Sequence, residues 1–180
     1  MVKIPYAGMM LAITVIWILV RTAVCLRSGK GNWKREVQLL LVYICIVVVA
    51  RFTFFPFGKV DGKVQPLIFD AARCFPFRIN WVPFANLMDY PVFGEAMRNL
   101  IGNTAMFLPL GIVWPAVFRE LDTHKKAIAA GFGVSLCIEI LQLPFYDRVT
   151  DIDDLILNSL GYLAGYGIYL LAKRCRRKRI

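Results

Sequence analysis

Residues 100–118 read LIGNTAMFLPLGIVWPAVF, an apolar stretch without a charged residue. A helix needs roughly 20 apolar residues to cross the hydrocarbon core of a bilayer. The stretch therefore has the length and composition of a membrane-spanning helix. Pro109 lies in its middle, where a proline removes a backbone hydrogen-bond donor and should kink the helix.

Comparable apolar blocks lie on both sides of this stretch, at about 4–26, 37–57, 127–145 and 155–172. The chain of 180 residues is 58% hydrophobic and only 19% charged, whereas a soluble domain is about half apolar and about a quarter charged. The sequence predicts an all-α fold: a polytopic integral membrane helical bundle of about five transmembrane helices. We treat residues 1–180 as a single domain, with segment 58–98 outside the bilayer.

Basic residues mark one side of this predicted bundle. They are concentrated in the segments Arg27–Glu36, Arg119–Lys126 and Lys173–Arg179. Alternation through five helices puts these segments on one side, which should be cytoplasmic because short cytoplasmic loops are rich in Lys and Arg. The predicted orientation is N-out and C-in. The net charge of +10 follows this pattern, so a nucleic-acid partner is not expected.

The first apolar block could be either a membrane-spanning helix or a signal peptide. Lys3 before an apolar run is also typical of a cleaved signal peptide, but the length of the run and the following Arg21 and Arg27 favour a retained helix.

The five cysteines include no Cys-x-x-Cys pair, so neither a disulfide framework nor a zinc site is predicted. We expect no cofactor.

Polar residues interrupt the last three predicted helices at one depth. They are Asn103 in the third helix, Glu139 and Gln142 in the fourth, Asp154 and Asn158 in the fifth, and Arg148 and Asp151 between the last two. Ionisable residues inside a membrane are rare, and they usually face the bundle interior or a water-filled cavity. The predicted topology puts all seven in the outer half, which favours an outward-facing, ligand-binding polar site.

Two interpretations of these seven residues stay open. In a binding site, Arg148 would contact phosphate or carboxylate, and the amides would orient a polar head group. In a purely structural role, the amides would link helices, Asp151 would cap the fifth helix, and Glu139 would pair with Arg148. Glu139 is also a candidate general base. Asp151 and Asp154 are weak candidates for a divalent cation, and no metal site is predicted.

The order of these residues resembles the VanZ-like family. The motifs that carry the resemblance are Asn80-Trp-Val-Pro-Phe84, Asn103-Thr-Ala-Met-Phe-Leu-Pro-Leu-Gly111, Glu139-Ile-Leu-Gln142 and the block from Arg148 to Gly161. They agree with the family in order and spacing over roughly residues 80–165. The first two helices match only as hydrophobic spans.

The resemblance implies a multi-pass protein of the bacterial cytoplasmic membrane with a role in the cell envelope. The family is associated with low-level resistance to teicoplanin, a lipid-bearing glycopeptide that acts at the outer face of this membrane. We therefore expect the lipid bilayer as surroundings, and a lipid-linked envelope precursor or a lipoglycopeptide as ligand. The oligomeric state stays open.

Two other functions fit the same residues. One is an intramembrane enzyme that acts on a lipid-linked substrate with Glu139 as the base, although no nucleophile motif, HExxH or phosphate loop accompanies it. The other is a small transporter or proton path. Two features argue against a transporter: the sequence has no inverted repeat, and it has no polar residues spaced through the inner half.

Overall fold

The computed structural model describes residues 1–28, 32–55, 60–75, 78–84, 93–146 and 148–178. This part of the chain forms five α-helices, which confirms the all-α prediction: α1 (Tyr6–Ser28), α2 (Trp33–Phe54), α3 (Phe93–Val117), α4 (His124–Gln142) and α5 (Ile152–Arg177). Two short 3₁₀ helices, Ala71–Cys74 and Arg119–Leu121, lie between them.

Four of these helices have the length and apolar composition needed to cross a membrane. They are α1, α2, the part Leu100–Val117 of α3, and α5. Helix α4 is less apolar, because Lys125, Lys126 and Glu139 lie within its 19 residues. Predicted and observed helices agree in number, while orientation across the membrane stays a prediction.

The helix ends differ from the predicted spans, because apolar sequence marks the part that fits a bilayer and not the whole helix. Helix α3 begins at Phe93, well before the predicted residue 100, and α5 continues to Arg177 instead of residue 172. Helix α2 begins at Trp33 instead of residue 37, since the Asn32 side chain caps it by accepting a hydrogen bond from the N–H of Arg35 at 3.3 Å.

The described residues also form four short strands at one end of the bundle, which the sequence did not predict. Strand β1 (Val2–Ile4) pairs antiparallel with β2 (Leu67–Phe69), and β3 (Ile79–Asn80) pairs parallel with β4 (Thr150–Asp151). The N-termini of α1, α3 and α5 and the C-termini of α2 and α4 meet here. We call this the polar end, and the opposite end, with the C-terminus of α5 and the N-terminus of α4, the basic end.

Helices α3 and α5 touch through their backbones. A Cβ added at Gly161 would lie 2.1 Å from the carbonyl oxygen of Thr104, and one at Gly165 would lie 2.1 Å from that of Leu108. Only glycine fits at such a distance. Small residues allow this close approach between helices in a membrane. The contact fixes the position of α5 in the centre of the bundle, between α3 and α4.

Candidate functional site

The close approach of α3 and α5 brings two of the predicted site residues into contact. The Nδ2 of Asn103 on α3 donates a hydrogen bond to Oδ1 of Asp154, which lies in the first turns of α5. Asn103 is buried, and Asp154 is half-buried. The amide and the carboxylate thus connect the two helices beside the glycine contact, at the polar end.

Glu139 is held by the connection between α4 and α5. Its Oε2 accepts a hydrogen bond from the backbone N–H of Asp151 at 3.1 Å, and its own carbonyl oxygen accepts one from the Thr150 hydroxyl at 3.0 Å. The side chain is only 2% exposed. The hydrogen bond recorded at this carboxylate is with the backbone, and not with Arg148 as the structural interpretation of the sequence assumed.

Ser135 belongs to this site although the sequence analysis did not select it. The Nδ2 of Asn158 on α5 donates to its Oγ at 3.2 Å, and Ser135 is completely buried. Ser135 lies four residues before Glu139, on the same face of α4. That spacing was a signal in the sequence, but a single serine in an apolar helix more often bonds to its own backbone.

Helix α2 contributes through its last carbonyl groups, which sequence reasoning also missed. The Nε2 of Gln142 donates to the carbonyl oxygen of Thr53 at 2.7 Å, and the Nε of Arg148 donates to that of Phe54 at 3.2 Å. The last four carbonyls of a helix lack partners within it. Gln142 and Arg148 therefore satisfy the C-terminus of α2 and tie it to α4.

Asp151 and Asp153 anchor the loop before α3 to the start of α5. Asp151 caps α5, since its Oδ1 accepts the N–H of Asp153 at 3.0 Å, and it also accepts from Nδ2 of Asn80 at 3.3 Å. Oδ1 of Asp153 accepts the N–H of Phe84 at 2.7 Å. The motif residues Asn80 and Phe84 thus help to hold this loop against the helix, together with the pairing of β3 and β4.

Phe84 adopts a left-handed backbone conformation, with φ of +61°. Bulky residues rarely adopt this conformation, and strained residues of this kind persist only where surrounding contacts fix them. The hydrogen bond to Asp153 is such a contact. The strain indicates that the position of this loop over the polar end is specified and not incidental.

Four carboxylates lie around the start of α5, those of Glu139, Asp151, Asp153 and Asp154, and the guanidinium of Arg148 lies near Asp154. Within the described ranges, Asp151 and Asp154 do not join any group of three or more His, Cys, Asp or Glu side chains that could hold a metal ion.

A groove of about 220 Å³ lies beside α4 and α5 at the polar end. Its open surface is apolar, and the residues that line it include Glu139, Thr150 and Asp151; the apolar lining is Ile79, Trp81, Leu136, Ile140, Leu143, Ile152 and Leu155. A larger cavity of about 490 Å³ lies among α1, α2, α3 and α4 and is apolar except for Thr53. The smaller groove combines apolar and ionisable groups, so it is the candidate site.

Residues 40–173 match the VanZ/LLP1 family profile. The chain belongs to this family. The matched region contains most of α2 and all of α3, α4 and the candidate site, whereas α1 lies before it. Together with the four long apolar helices, membership of the VanZ/LLP1 family identifies a membrane protein.

Two curated relatives each match about half of the chain. Protein VanZ of Enterococcus faecium is 33% identical over 89 residues, which are 49% of this chain and 54% of that protein. The uncharacterized membrane protein YwnJ of Bacillus subtilis (strain 168) is 30% identical over 84 residues, 47% of this chain and 57% of YwnJ. The chain thus spans about half the length of these relatives. No solved structure matches it.

Proposed function

We propose that this VanZ/LLP1 protein is a multi-pass protein of the bacterial cytoplasmic membrane that binds an amphipathic ligand of the cell envelope at its polar end. The observation that carries the proposal is the groove in which apolar walls from α4 and α5 meet Glu139 and Asp151. With its N-terminus outward and its C-terminus inward, the protein presents this groove to the outer leaflet.

In this proposal the apolar and the ionisable residues of the groove contact different parts of the ligand. The apolar part lies against Leu136, Ile140 and Leu155, which continue the lipid-facing surface of the bundle. The polar head reaches Glu139 and Asp151, and a donor group on it forms charge-assisted hydrogen bonds with their carboxylates. Arg148 receives an acidic group of the same head, so a zwitterionic, peptide-like head group fits best.

Such a ligand is either a lipid-linked envelope precursor or a lipoglycopeptide. Both combine a lipid chain with a polar, peptide-containing head at the outer face of the membrane. Binding either one contributes to resistance to teicoplanin, the role that the sequence resemblance implies. Similarity to Protein VanZ over half of each chain supports this proposal.

The test is teicoplanin susceptibility in a sensitive host that expresses the wild type or one of two variants, Glu139→Gln and Arg148→Ala. Matched controls are Glu120→Gln and Arg119→Ala, the same chemical changes at exposed positions of the basic end. We expect wild type and both controls to raise the minimum inhibitory concentration, and both site variants to lose the protection at equal membrane levels.

Two results would count against the proposal. Equal protection by Glu139→Gln, Arg148→Ala and wild type would mean that the polar cluster only holds the helices together. No protection by a well-expressed wild type would mean that the resistance role does not extend to this chain. Direct binding of radiolabelled teicoplanin to the purified protein then decides whether the ligand site exists.

A further inference from the structure

A row of polar side chains follows one face of α5 from the polar end to the basic end. Asp154, Asn158, Tyr162, Tyr166 and Lys173 form this polar seam, and the first four are spaced four residues apart. Residues at this spacing lie on one face of a helix. At 1.5 Å per residue the seam is about 28 Å long, close to the roughly 30 Å hydrocarbon core of a bilayer.

The middle of the seam is closed to the surroundings. Asn158 is 2% exposed, Tyr162 0% and Tyr166 4%. The Tyr162 ring packs against Gly131 on α4, where an added Cβ would lie 2.6 Å from the ring, and edge-on to Trp114 on α3 at 6.3 Å between ring centres. Gly131 thus makes room for a tyrosine in the centre of the bundle.

Three polar atoms in this closed region have no hydrogen-bond partner within the part of the chain that the structure describes. They are Oδ1 of Asn158, the hydroxyl of Tyr162 and Nε1 of Trp114. An unsatisfied buried polar group costs about 1–3 kcal/mol, and phenylalanine would pack at position 162 without that cost. Two of these atoms are one turn apart on α5 and the third is on α3, and buried polar groups of this kind are typically bridged by small hydrogen-bonding molecules such as water.

Ionisable groups lie at both ends of the seam. At the polar end Asp154 accepts from Asn103 and lies near Glu139 and Arg148, while Asn158 contacts Ser135. At the basic end Lys173 pairs with Asp122. In the same region the His124 ring meets the Tyr166 ring edge-on, 5.7 Å between centres, and Tyr166 stacks on Tyr169.

We propose that the polar seam conducts protons between the two sides of the membrane. A proton enters at the carboxylates of Asp154 and Glu139 and passes through water held by Asn158, Ser135 and Trp114. It then crosses at the Tyr162 hydroxyl, which accepts one proton as it releases another, and leaves beside Asp122 and His124. No bond other than those to the moving proton changes. The proposal depends on the membrane-spanning arrangement, but not on the envelope ligand.

This proposal reverses one argument from the sequence. The sequence shows no polar residues spaced through the inner half, which counts against a proton path. The structure adds the hydroxyl of Tyr162 and the Nε1 of Trp114 to the interior of the bundle, both without protein partners in the described residues. The polar groups therefore extend beyond the candidate site.

The test uses the full chain in liposomes loaded with potassium and a pH-sensitive dye. Valinomycin makes the interior negative, so a proton path produces internal acidification. We expect wild type to acidify faster than protein-free vesicles. Tyr162→Phe, which removes only the unpartnered hydroxyl, should reduce the rate to the protein-free level without lowering stability. Tyr43→Phe is the matched control, because Tyr43 bonds to Thr14 at 2.7 Å, away from the seam, and its removal should leave the rate unchanged.

A wild type no faster than protein-free vesicles would overturn the proposal, and so would a Tyr162→Phe variant that conducts like wild type. If Tyr162→Phe does not fold, Asn158→Leu interrupts the seam one turn away and decides the question by the same criterion. Resistance in cells without proton flux in vesicles would reject the seam and leave the ligand-binding proposal intact.

Discussion

The contact between α3 and α5 and the contact between α1 and α2 are built in different ways. Helices α3 and α5 meet backbone to backbone at Gly161 and Gly165, and the buried Asn103 amide bonds to Asp154 beside them. No residue in the apolar stretch of α1 is buried. It is connected to α2 by side chains alone, chiefly Thr14 with Tyr43 and Arg21 with Glu36.

This difference follows from the lipid that surrounds the helices. Lipid is as apolar as leucine, so an apolar helix in a membrane gains little by burying its side chains, and close packing of small residues or hydrogen bonds must hold helices together. Helices α3 and α5 have both, whereas α1 has mostly large apolar side chains. The family match at residues 40–173 includes the first contact and leaves α1 outside. The two contacts should therefore respond very differently to substitution.

The largest effect is expected from Gly161→Ala. The new Cβ would lie 2.1 Å from the Thr104 carbonyl oxygen, and because that atom is backbone, the helices must separate. We expect a loss of at least about 3 kcal/mol, the upper end of the usual cost of overpacking. Unfolding of the purified protein in detergent measures it.

Gly167→Ala on the same helix is the control, since nothing lies within 4 Å of a Cβ there. We expect it to be neutral or to stabilise α5 by up to about 1 kcal/mol through helix propensity. Similar stability of the two alanine variants would show that α3 and α5 do not meet through their backbones.

A smaller effect is expected from breaking the polar link between the same helices. Asn103→Leu removes the donor and leaves the Asp154 carboxylate without it, which should cost about 1–3 kcal/mol. The double variant with Asp154→Leu should cost less than the sum of the two single changes. We expect a coupling energy near 1.7 kcal/mol, the upper end for membrane helices. Additive costs in the same unfolding assay would mean that the two side chains do not interact.

The same contrast explains which features could be predicted from the sequence. The helices were predictable because lipid requires long apolar runs. The spacing of Gly161 and Gly165 is typical of a close helix contact, but it does not identify α3 as the partner. Glu139 and Asn103 were selected because polar residues are rare in such helices. The structure brings the seven predicted residues to one end and supplies their partners; ligand binding by them stays a prediction.

The remaining features depend on contacts between distant residues. Thr53 takes part in the site through its backbone carbonyl oxygen. Because every residue has this group, the residue type at position 53 could not indicate the contact. The strands Val2–Ile4 and Ile79–Asn80 are too short for an alternating pattern, and they form because their partners lie at the same end of the bundle. Tyr162 was not selected from the sequence, because its hydroxyl is a small part of a largely apolar side chain.

The smallest effect is expected at the α1–α2 contact, from Tyr43→Phe. The change removes the hydrogen bond between Tyr43 and Thr14, but the Thr14 hydroxyl also donates to the carbonyl oxygen of Met10 at 2.7 Å and keeps that partner. No buried group is left unsatisfied, so we expect a loss of about 0.6 kcal/mol, the average for a side-chain hydrogen bond between membrane helices. The unfolding assay used for Asn103→Leu gives the comparison directly. A cost equal to that of Asn103→Leu would mean that α1 is held as firmly as α3 and α5, and that its exposed surface does not reflect a weaker contact.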